Sequence, residues 1–460
     1  MKKYFSLIYC LVMSLNAFTQ TKPALTKIVA GPMLGYAEHK ECMVWIQTSC
    51  SKTVTLKYLE LNGLSEGEMT ITNKNENLCL PWISKFIISD LKPNTTYTYE
   101  ILLDKKLVPF TYDLRFKTKK VWAEWSKEDA FDVNFLLGSC NYVNDSLYDR
   151  PGKPYGQISD IFSKMAEQRT DFMLWLGDNT YTREADYSSA SGIRYRYLHT
   201  RSDASIQKLL SRQNNYAIWD DHDFGENDAN KNFDLKDVSK ECFVNYWGNK
   251  TYGENGKGIY YSFKQSDVEF FMLDDRTFRD ESELEEEKFS HKTQLGDVQL
   301  NWLKNKLKHS TSIFKFIAVG GQFLNTETNK ESFNLYKRER AEIIKFIAEQ
   351  KISGVVFLTG DRHHTELLKY EPNSQPDYIT TYPLFDLTSS ALTAGPSNIL
   401  KTKEAENPFR IANTLTIENN FCGIKVTGTR GNRQMQITCY DKGGIVKWNH
   451  VINESLLKAK

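Results

Sequence analysis

The sequence has almost no net charge, no internal repeats and no low-complexity tracts. Its 59 lysines and arginines nearly balance its 58 aspartates and glutamates, which leaves a formal charge of +1. A balanced chain has no broad basic surface, which argues against nucleic acid as a structural partner. With 460 residues, 40% hydrophobic and 25% charged, the chain is predicted to form two or three folded domains.

Beyond the N-terminal segment, the sequence also lacks an apolar run that could cross a bilayer. At the N-terminus, Lys2 and Lys3 precede an apolar run over 4–15, and the small residues Ala17 and Thr19 follow. This is the pattern of a secretory signal peptide, and its apolar run is too short to span a membrane. We predict that residues 1–20 are a signal peptide and that the mature protein is a secreted or periplasmic monomer without an integral membrane segment.

Cysteine is scarce. The sequence has eight cysteines, and Cys10 lies within the predicted signal peptide. An exported protein can form disulfides, but the cysteines that remain without Cys10 are odd in number, so at least one of them cannot be paired within the chain. Cys422 and Cys439 lie in neighbouring strand-like segments, whereas Cys140 is the thiol that we expect to stay free.

Residues 25–120 have the pattern of an antiparallel β-sandwich, because strand-like segments with alternating apolar and polar residues are separated by turns. Residues 91–99, in which Pro93 and Asn94 precede Tyr97, resemble the corner of a fibronectin type III domain. We predict a fibronectin III-like β-sandwich here, joined to the next domain by a linker over 121–131. The strand-like segments are 41–47, 53–58, 82–88 and 96–102.

From residue 132 the strand-like segments become continuously apolar, as in strands that are buried on both faces. Between them lie helix-like segments with apolar residues at three- and four-residue spacing. This alternation predicts a layered α/β domain over 132–460, which ends in three further strand-like segments after residue 421. The apolar runs are 133–137, 172–176, 216–219, 268–273, 313–319 and 355–358, and the helix-like segments are 157–168, 299–308 and 338–350.

Several of the apolar runs end in residues that can bind metal ions. In α/β sheets, ligands bind beyond the carboxyl ends of the strands, so these residues are expected to meet. Taken singly, Cys140 fits a buried thiol, Asp178 fits a cap of the following helix or turn, and the pair His363-His364 fits a core histidine beside a solvated one. Their recurrence at successive strand ends favours one shared metal cluster instead. The segments after the strands are 138–141, 177–181, 220–223, 274–276, 320–322 and 360–364.

The candidate ligands divide into two sets by their chemistry. The soft set consists of Cys140, Asp178, Tyr181 and His363. The oxygen set consists of Asp221 and Asp361, with Asn227 or Gln322 as further candidates. Thiolate, phenolate and imidazole suit a trivalent or borderline transition metal, and phenolate favours ferric iron, whereas oxygen ligands suit Ca²⁺ or Mg²⁺. With Asp178 as a bridge, two such cations would form a clamp for displacement at phosphorus.

These motifs together resemble the PhoD-type alkaline phosphatases and phosphodiesterases, a branch of the metallophosphoesterases. The resemblance covers about 132–395, and the upstream sandwich matches the layout of the family. Each motif is weak alone, but their order and spacing are specific. The motifs are Gly138–Cys140, Gly177–Tyr181, Trp219–Asp223, Asp274–Arg276 with Arg279, Leu295–Leu303 and Gly360–His363.

The resemblance implies a four-layer αββα core with Fe³⁺ and Ca²⁺ as cofactors, or Mg²⁺ or Zn²⁺ in their place. It assigns the iron to Cys140, Asp178, Tyr181 and His363, and the calcium to Asp178, Asp221 and Asp361. The chain departs from more familiar metallophosphoesterases at two positions. Asp221 begins the third motif, and Gln322 lies about where those enzymes have the histidine of the fourth motif. Both departures remove nitrogen ligands and favour a hard cation. The strand-like C-terminus also differs from the helical lid found among the phosphatases of this family.

From these residues we predict a secreted phosphoric ester hydrolase, in which a metal-bound hydroxide attacks phosphorus. His222 is the predicted proton donor to the leaving oxygen, with a purely supporting role as the alternative. Arg276 is predicted to hold a phosphate oxygen, with a salt bridge to Asp275 as the alternative.

Other functions also fit this sequence. One is phosphodiesterase or phospholipase D-like activity on lipid or wall-polymer diesters. The other two are a zinc-only nuclease and a non-catalytic, metal-stabilised binding protein.

Overall fold

The computed structural model describes residues 27–75, 80–126, 128–149, 151–157, 160–326, 331–374 and 379–460. The predicted signal peptide, Cys10 and Cys79 lie outside these residues. Within them, every helix is too short or too polar to cross a bilayer. Cys140 carries a free thiol, as expected, and Cys422 and Cys439 are thiols that face each other on neighbouring antiparallel strands.

Residues 27–117 form two antiparallel sheets in the described part of the chain. The strands are β1 (Lys27–Ala37), β2 (Cys42–Ser49), β3 (Thr53–Glu60), β4 (Glu66–Thr72), β5 (Trp82–Ile88), β6 (Thr96–Leu103), β7 (Lys106–Leu107) and β8 (Arg115–Lys117). One sheet has the order β1-β2-β5, and the other has the order β4-β3-β6-β7 with β8 also paired to β6. Val44 and Phe86 from the first sheet share a hydrophobic core with Leu56 and Tyr97 from the second. The fibronectin III assignment of this pair of sheets stays a prediction.

The predicted corner at residues 91–99 has a buried tyrosine. The Tyr97 side chain is fully buried, and its hydroxyl oxygen accepts a hydrogen bond from the Lys92 backbone N–H at 3.0 Å. Asn94 has φ of 55°, in the left-handed region that asparagine tolerates better than most residues. The turn chemistry at this corner is therefore visible in the sequence.

Strand β2 does not show the alternating burial that its sequence predicts, because all eight of its residues are buried. One face packs into the core shared with the second sheet, and the other face packs against the α/β region. On that second face, the Trp45 indole N–H donates to the Asn245 carbonyl at 2.8 Å, and the Lys85 ammonium donates to the Trp247 carbonyl at 3.0 Å. A sheet between two cores buries both of its faces, which a local pattern cannot reveal.

The α/β region contains the remaining strands and the helices. The strands are β9 (Val133–Gly138), β10 (Phe172–Leu176), β11 (Asn214–Ile218), β12 (Tyr261–Gln265), β13 (Val268–Met272), β14 (Phe314–Ala318), β15 (Val355–Thr359), β16 (Glu366–Tyr370), β17 (Leu384–Thr388), β18 (Asn420–Thr427), β19 (Gln434–Asp441) and β20 (Val446–Asn453). The helices are α1 (Ile161–Glu167), α2 (Ala190–Arg201), α3 (Gln207–Arg212), α4 (Asp221–Phe224), α5 (Lys236–Tyr246), α6 (Gly296–His309) and α7 (Lys337–Glu349).

These strands build two mixed sheets, each of six strands within the described residues. The first has the order β11-β10-β9-β18-β19-β20, in which β9 to β11 are parallel and β18 to β20 antiparallel. The second has the order β12-β13-β14-β15-β17-β16. The sheets pack face to face, since the Phe135 ring lies 5.1 Å from Phe270 and 5.4 Å from Phe316. The predicted α/β class is confirmed as a mixed α/β fold with several sheets, and the four-layer arrangement stays a prediction.

The continuous apolar runs all become strands of these sheets. Strands β10, β13, β14 and β15 are buried along their whole length, because neighbouring layers cover both of their faces. Helix α1 begins at Ile161, later than the predicted 157, and residues 158 and 159 lie outside the described chain. The antiparallel strands β18 to β20 extend the first sheet, so the C-terminus forms strands, as its sequence indicates.

Candidate metal centre

Four of the predicted metal ligands have a left-handed backbone. The φ angles are 61° at Cys140, 51° at Asp178, 65° at Asp361 and 55° at His363. Each of these residues lies just beyond the carboxyl end of β9, β10 or β15. For a residue with a Cβ atom, this conformation costs roughly 1–2 kcal/mol. Left-handed residues also occur in turns elsewhere, such as Asn94, but these four meet at one place, and such strain persists where the surrounding structure holds side chains in position.

The soft ligand set comes together at this edge. The Cys140 Sγ lies 3.6 Å from an Asp178 carboxylate oxygen, and the Tyr181 hydroxyl lies 2.9 Å from Nε2 of His363. Candidate ligand atoms of Cys140, Asp178 and His363 all lie within 4.8 Å of one another. The Ser390 hydroxyl, which the sequence analysis did not consider, donates to the Cys140 sulfur at 3.1 Å.

The orientation of His363 suits a metal ligand. Its Nδ1 lies 2.8 Å from the Gly395 carbonyl oxygen, which can only accept, so Nδ1 carries the hydrogen. Nε2 then keeps its lone pair and faces the Tyr181 hydroxyl. Metal-binding histidines are commonly oriented by such a hydrogen bond from their second nitrogen.

The oxygen ligand set lies beside the soft set and shares Asp178 with it. Ligand atoms of Asp178, Asp220 and Asp361 lie within 4.8 Å of one another, and the same holds for Asp178, Asp221 and His222. The Asp178 carboxylate also accepts the His222 backbone N–H at 3.3 Å. Asp178 is therefore close to members of both sets, and its role as a bridge between two cations stays a prediction. Asp220 lies with them as well, although the sequence analysis did not assign it a role.

Helix α4 and its cap hold these loops together. Asp220 is the N-cap residue of α4. The Asp223 side chain accepts a hydrogen bond from the Asp220 backbone N–H, which completes a capping box. Asp223 also accepts hydrogen bonds from the backbone N–H groups of Asn179 and Thr180, each at 3.1 Å. The loop after β10 is thereby tied to the loop after β11, which brings Asp178 next to Asp221.

Burial makes this concentration of acids electrostatically unfavourable. It raises the pKa of Asp178 far above its ordinary value, and the negative charges of Asp221 and Cys140 raise it further. Burial also raises the pKa of Asp361 to about 7 against the opposing effect of Arg362, and that of Cys140 to about 11. A cation would stabilise the charged forms of all these groups.

Unpartnered polar atoms provide a second test of the fit to cations. Within the described residues, Oδ2 of Asp220, Oδ1 of Asp275 and Nδ1 of His222 are buried without a hydrogen-bond partner. Buried polar atoms are normally satisfied, so unpartnered ones need an explanation such as a bound ion or water. Together with the thiol, phenol, carboxylate and imidazole donors, these atoms fit a site for two cations.

Asp221 and His222 have opposite electrostatic surroundings. Burial alone would raise the pKa of Asp221, but His222 and Arg276 outweigh this effect and hold it below its ordinary value. Burial lowers the pKa of His222, and the opposing charge of Asp221 does not restore it. Near neutral pH, Asp221 is therefore an anion and His222 a neutral imidazole.

Arg276 lies beneath the site rather than in it. Its side chain is only 1% exposed; its Nε donates to Asp220 at 2.7 Å, and one Nη donates to Glu331 at 2.7 Å. The nearest oxygen of Asp275 is 3.8 Å away. This placement favours the ion-pair alternative over direct contact with phosphate, although the main partners are Asp220 and Glu331 rather than Asp275.

Gln322 does not join the oxygen set. It is fully buried, and its amide donates to Glu366 at 2.8 Å and to Thr388 at 2.7 Å. Asn227, the other optional ligand, lines the cleft together with Asp221. His364 is a core histidine, 3.3 Å from the Glu366 carboxylate, whereas His363 faces the cleft.

The ligand sets open into a cleft of 470 Å³ that Asp178, Asp221, His222, Asp361 and His363 line. Besides Asp220, sequence reasoning missed Ser390, Glu331 and Tyr155, which also contribute to this site. Ser390 follows the end of β17, so the strand-end argument could have found it. Glu331 and Tyr155 lie in loops away from any strand end, and no local signal marks them.

Comparisons with known proteins identify the family of the chain. A family model described as PhoD-like phosphatase matches residues 137–439, and one described as a domain of unknown function matches residues 25–124. Alkaline phosphatase D of Bacillus subtilis (strain 168) is 25% identical over 320 residues, which cover 59% of this chain and 52% of that protein. The chain thus aligns with only about half the length of this relative.

Two solved structures have a similar fold. A structure of PhoD gives a TM-score of 0.71 at 17% identity and covers 94% of this chain and 92% of its own. The purple acid phosphatase PPD1 from seeds of yellow lupin (Lupinus luteus) gives a TM-score of 0.62 at 12% identity and covers 92% of this chain and 74% of its own.

Proposed function

Since the chain belongs to the PhoD-like phosphatase family, we propose that it is a metal-dependent phosphoric ester hydrolase. The observation that carries this proposal is the convergence of Cys140, Asp178, Asp221 and His363 around one cleft. These side chains come from separate strand ends, and their buried acids are unfavourable without cations. A four-layer metallophosphoesterase core is the architecture that we propose for this domain.

We assign the cations by ligand chemistry. Cys140, Asp178, Tyr181 and His363 would hold Fe³⁺, because thiolate and phenolate favour a trivalent ion. Asp178, Asp221 and Asp361 would hold Ca²⁺, with Mg²⁺ or Zn²⁺ as alternatives. When bound, the cations would supply positive charge that stabilises the oxygens of a phosphate ester during displacement.

The protein's own residues would position the ester and its leaving group. His222 lines the cleft, and its ring packs against that of Tyr181 with the two ring centres 4.4 Å apart. This packing restrains the orientation of the imidazole. A neutral imidazole retains one N–H, which we propose donates a hydrogen bond to the leaving oxygen as negative charge develops there, while the proton that the leaving group finally takes up comes from solvent. Arg276 would act indirectly, because its ion pair orients Asp220 toward Asp178 and Asp361.

The direct test is hydrolysis of p-nitrophenyl phosphate and bis(p-nitrophenyl) phosphate by the purified protein. We expect turnover of at least one ester, and a loss of about 100-fold or more after chelation, because the cations carry much of the charge stabilisation. Added Ca²⁺ and iron should restore the rate, and the ratio of the two rates gives the preference for monoesters or diesters. Failure to turn over either ester with cations present would favour a metal-stabilised binding protein.

The same preparation tests the identity of the metal. Ferric iron bound to the Tyr181 phenolate should absorb visible light, so the loaded protein is expected to be coloured. A colourless, active protein that contains only zinc would favour the zinc-only nuclease. Export through the predicted signal peptide belongs to the same proposal, since an exported hydrolase could release phosphate from esters outside the cell.

We expect His222→Asn to affect esters with poor leaving groups most. Loss of a proton or hydrogen-bond donor typically lowers rates by 100-fold or more, but p-nitrophenolate leaves readily without help. We therefore expect a decrease of about 100-fold in kcat for glycerol phosphate and of less than about 10-fold for p-nitrophenyl phosphate. His309→Asn, at an exposed histidine, is the control. Equal losses on both esters would support the alternative in which His222 only orients Asp178.

A further inference from the structure

Tyr155 is a large, exposed side chain in the candidate metal centre, and neither ligand set includes it. Its ring is 45% exposed and lines the cleft, and its hydroxyl lies 2.9 Å from Nδ1 of His363. Because His363 is a proposed iron ligand, any ester held by the cations would lie within reach of this ring.

The surrounding structure fixes Tyr155 even though its ring is exposed. The neighbouring Gly156 is held on both sides by the Asn144 side chain, which accepts its N–H at 2.9 Å and donates to its carbonyl at 2.7 Å. The Gln157 N–H donates to the Thr393 carbonyl at 2.6 Å. The Tyr142 ring lies edge-on at 5.1 Å. A ring held in this way loses little conformational entropy when a ligand packs on it.

Gly395 allows the ring to take this position. A Cβ atom at Gly395 would lie 3.2 Å from the Tyr155 ring, closer than ordinary contact. The Gly395 carbonyl also accepts the Nδ1–H of His363, so the same glycine supports both side chains. The ring and the proposed ligand are thus held at a defined separation.

The rest of the cleft is polar. Among its described lining residues, Tyr155 and Leu335 provide the large hydrophobic side chains, and Asp228, Glu283 and Glu331 add negative charge. An organic group with a flat apolar face would therefore gain most by packing on Tyr155, whose ring centre lies 5.9 Å from that of the proposed iron ligand His363. Aromatic rings favour such offset or edge contacts with other rings.

We propose that Tyr155 determines specificity by packing against the organic part of the substrate, and that it favours esters with a planar aromatic group, such as an aryl ring or a nucleobase. This inference rests on the proposed function and names the substrate class for that site. The hydroxyl is not required for the preference. The hydroxyl oxygen and the Gly395 carbonyl oxygen both accept from the Nδ1–H of His363, whereas the ring supplies the packing surface.

The test compares binding of phenylphosphonate and methylphosphonate, which cannot be hydrolysed at the carbon–phosphorus bond, to the cation-loaded protein by calorimetry. We expect the unaltered chain and Tyr155→Phe to prefer the phenyl compound. Tyr155→Ala should lose about 3- to 10-fold in affinity for phenylphosphonate and less than about 2-fold for methylphosphonate, in line with the strength of aromatic contacts. Tyr155→Leu, which keeps bulk without an aromatic ring, should show the same selective loss if the alanine variant folds poorly.

Tyr148→Ala, at an exposed tyrosine outside the cleft lining, is the matched control. Equal losses for both phosphonates would overturn the inference, because Tyr155 would then act only on His363. A Tyr155→Phe variant that behaves like Tyr155→Ala, or an unaltered chain that does not prefer the phenyl compound, would overturn it as well. Since binding needs no turnover, a chain that binds phenylphosphonate selectively but hydrolyses no ester would count against the proposed function alone.

Discussion

Asp178→Asn is expected to lower hydrolysis of p-nitrophenyl phosphate by at least about 1000-fold. Asp178 lies in both ligand sets, with Cys140 and His363 on one side and Asp221 on the other. Asparagine has the same shape but no charge, so both cations lose their common carboxylate. Removal of one preorganised electrostatic group commonly costs 100- to 1000-fold, and this change affects two cation sites at once. Steady-state rates and the metal content of the purified variant are the measurements.

The fold should survive this change. Burial and neighbouring negative charges raise the pKa of Asp178, so a neutral side chain there relieves repulsion in the metal-free protein. We expect its thermal unfolding temperature in chelator to equal or exceed that of the unaltered chain. Asp234→Asn, at an exposed aspartate, controls for a general effect of charge. An Asp178→Asn variant that keeps more than about one tenth of the rate would contradict a shared role for this carboxylate.

Arg276→Ala is expected to lower the free energy of unfolding by about 3–5 kcal/mol. The guanidinium is buried between Asp220 and Glu331, and Glu331 also pairs with Arg279 at 2.7 Å. Its removal leaves the buried Asp220 carboxylate without its cation, and the cost of an uncompensated buried charge far exceeds that of losing a surface ion pair. Denaturant unfolding in chelator measures the effect without a contribution from bound metal.

Arg338→Ala is the control for this measurement, because Arg338 is exposed in the first turn of α7. Its loss should change the free energy of unfolding by less than about 0.5 kcal/mol. If Arg276→Ala unfolds within 1 kcal/mol of the unaltered chain but loses affinity for phosphate, Arg276 contacts the substrate as the sequence first suggested. A combined loss of stability and of metal affinity would instead support its proposed role in orienting Asp220.

The candidate ligands could be predicted from sequence because they follow continuous apolar runs, which identify strands such as β10 and β15. Parallel pairing of β9 and β10 brings Cys140 next to Asp178 whatever the details of their loops. Asp361 follows a strand of the other sheet, so its approach to Asp178 depends on how the two sheets stack. The left-handed backbone at these positions could not be predicted, since aspartate and histidine adopt it more often than most residues but only at a minority of positions.

Arg276 shows where sequence reasoning reaches its limit. Its neighbour Asp275 is adjacent in sequence, yet its strongest contacts are Asp220 and Glu331, which come from distant loops. Strand β2 gives the same lesson for packing. Its pattern predicts one buried face, but the core of the α/β region covers the other face, to which Met43 and Trp45 contribute.

The sequence by itself determined the class of fold, the strands and a set of candidate ligands, because hydrophobic periodicity and metal-ligand chemistry are local properties of residues. Only the tertiary structure decided which of these residues lie in the same cluster, which acid pairs with Arg276, and that Tyr155 lies beside His363. The reason is that such contacts depend on how loops far apart in the chain pack against one another, and nothing in a local pattern encodes that distance.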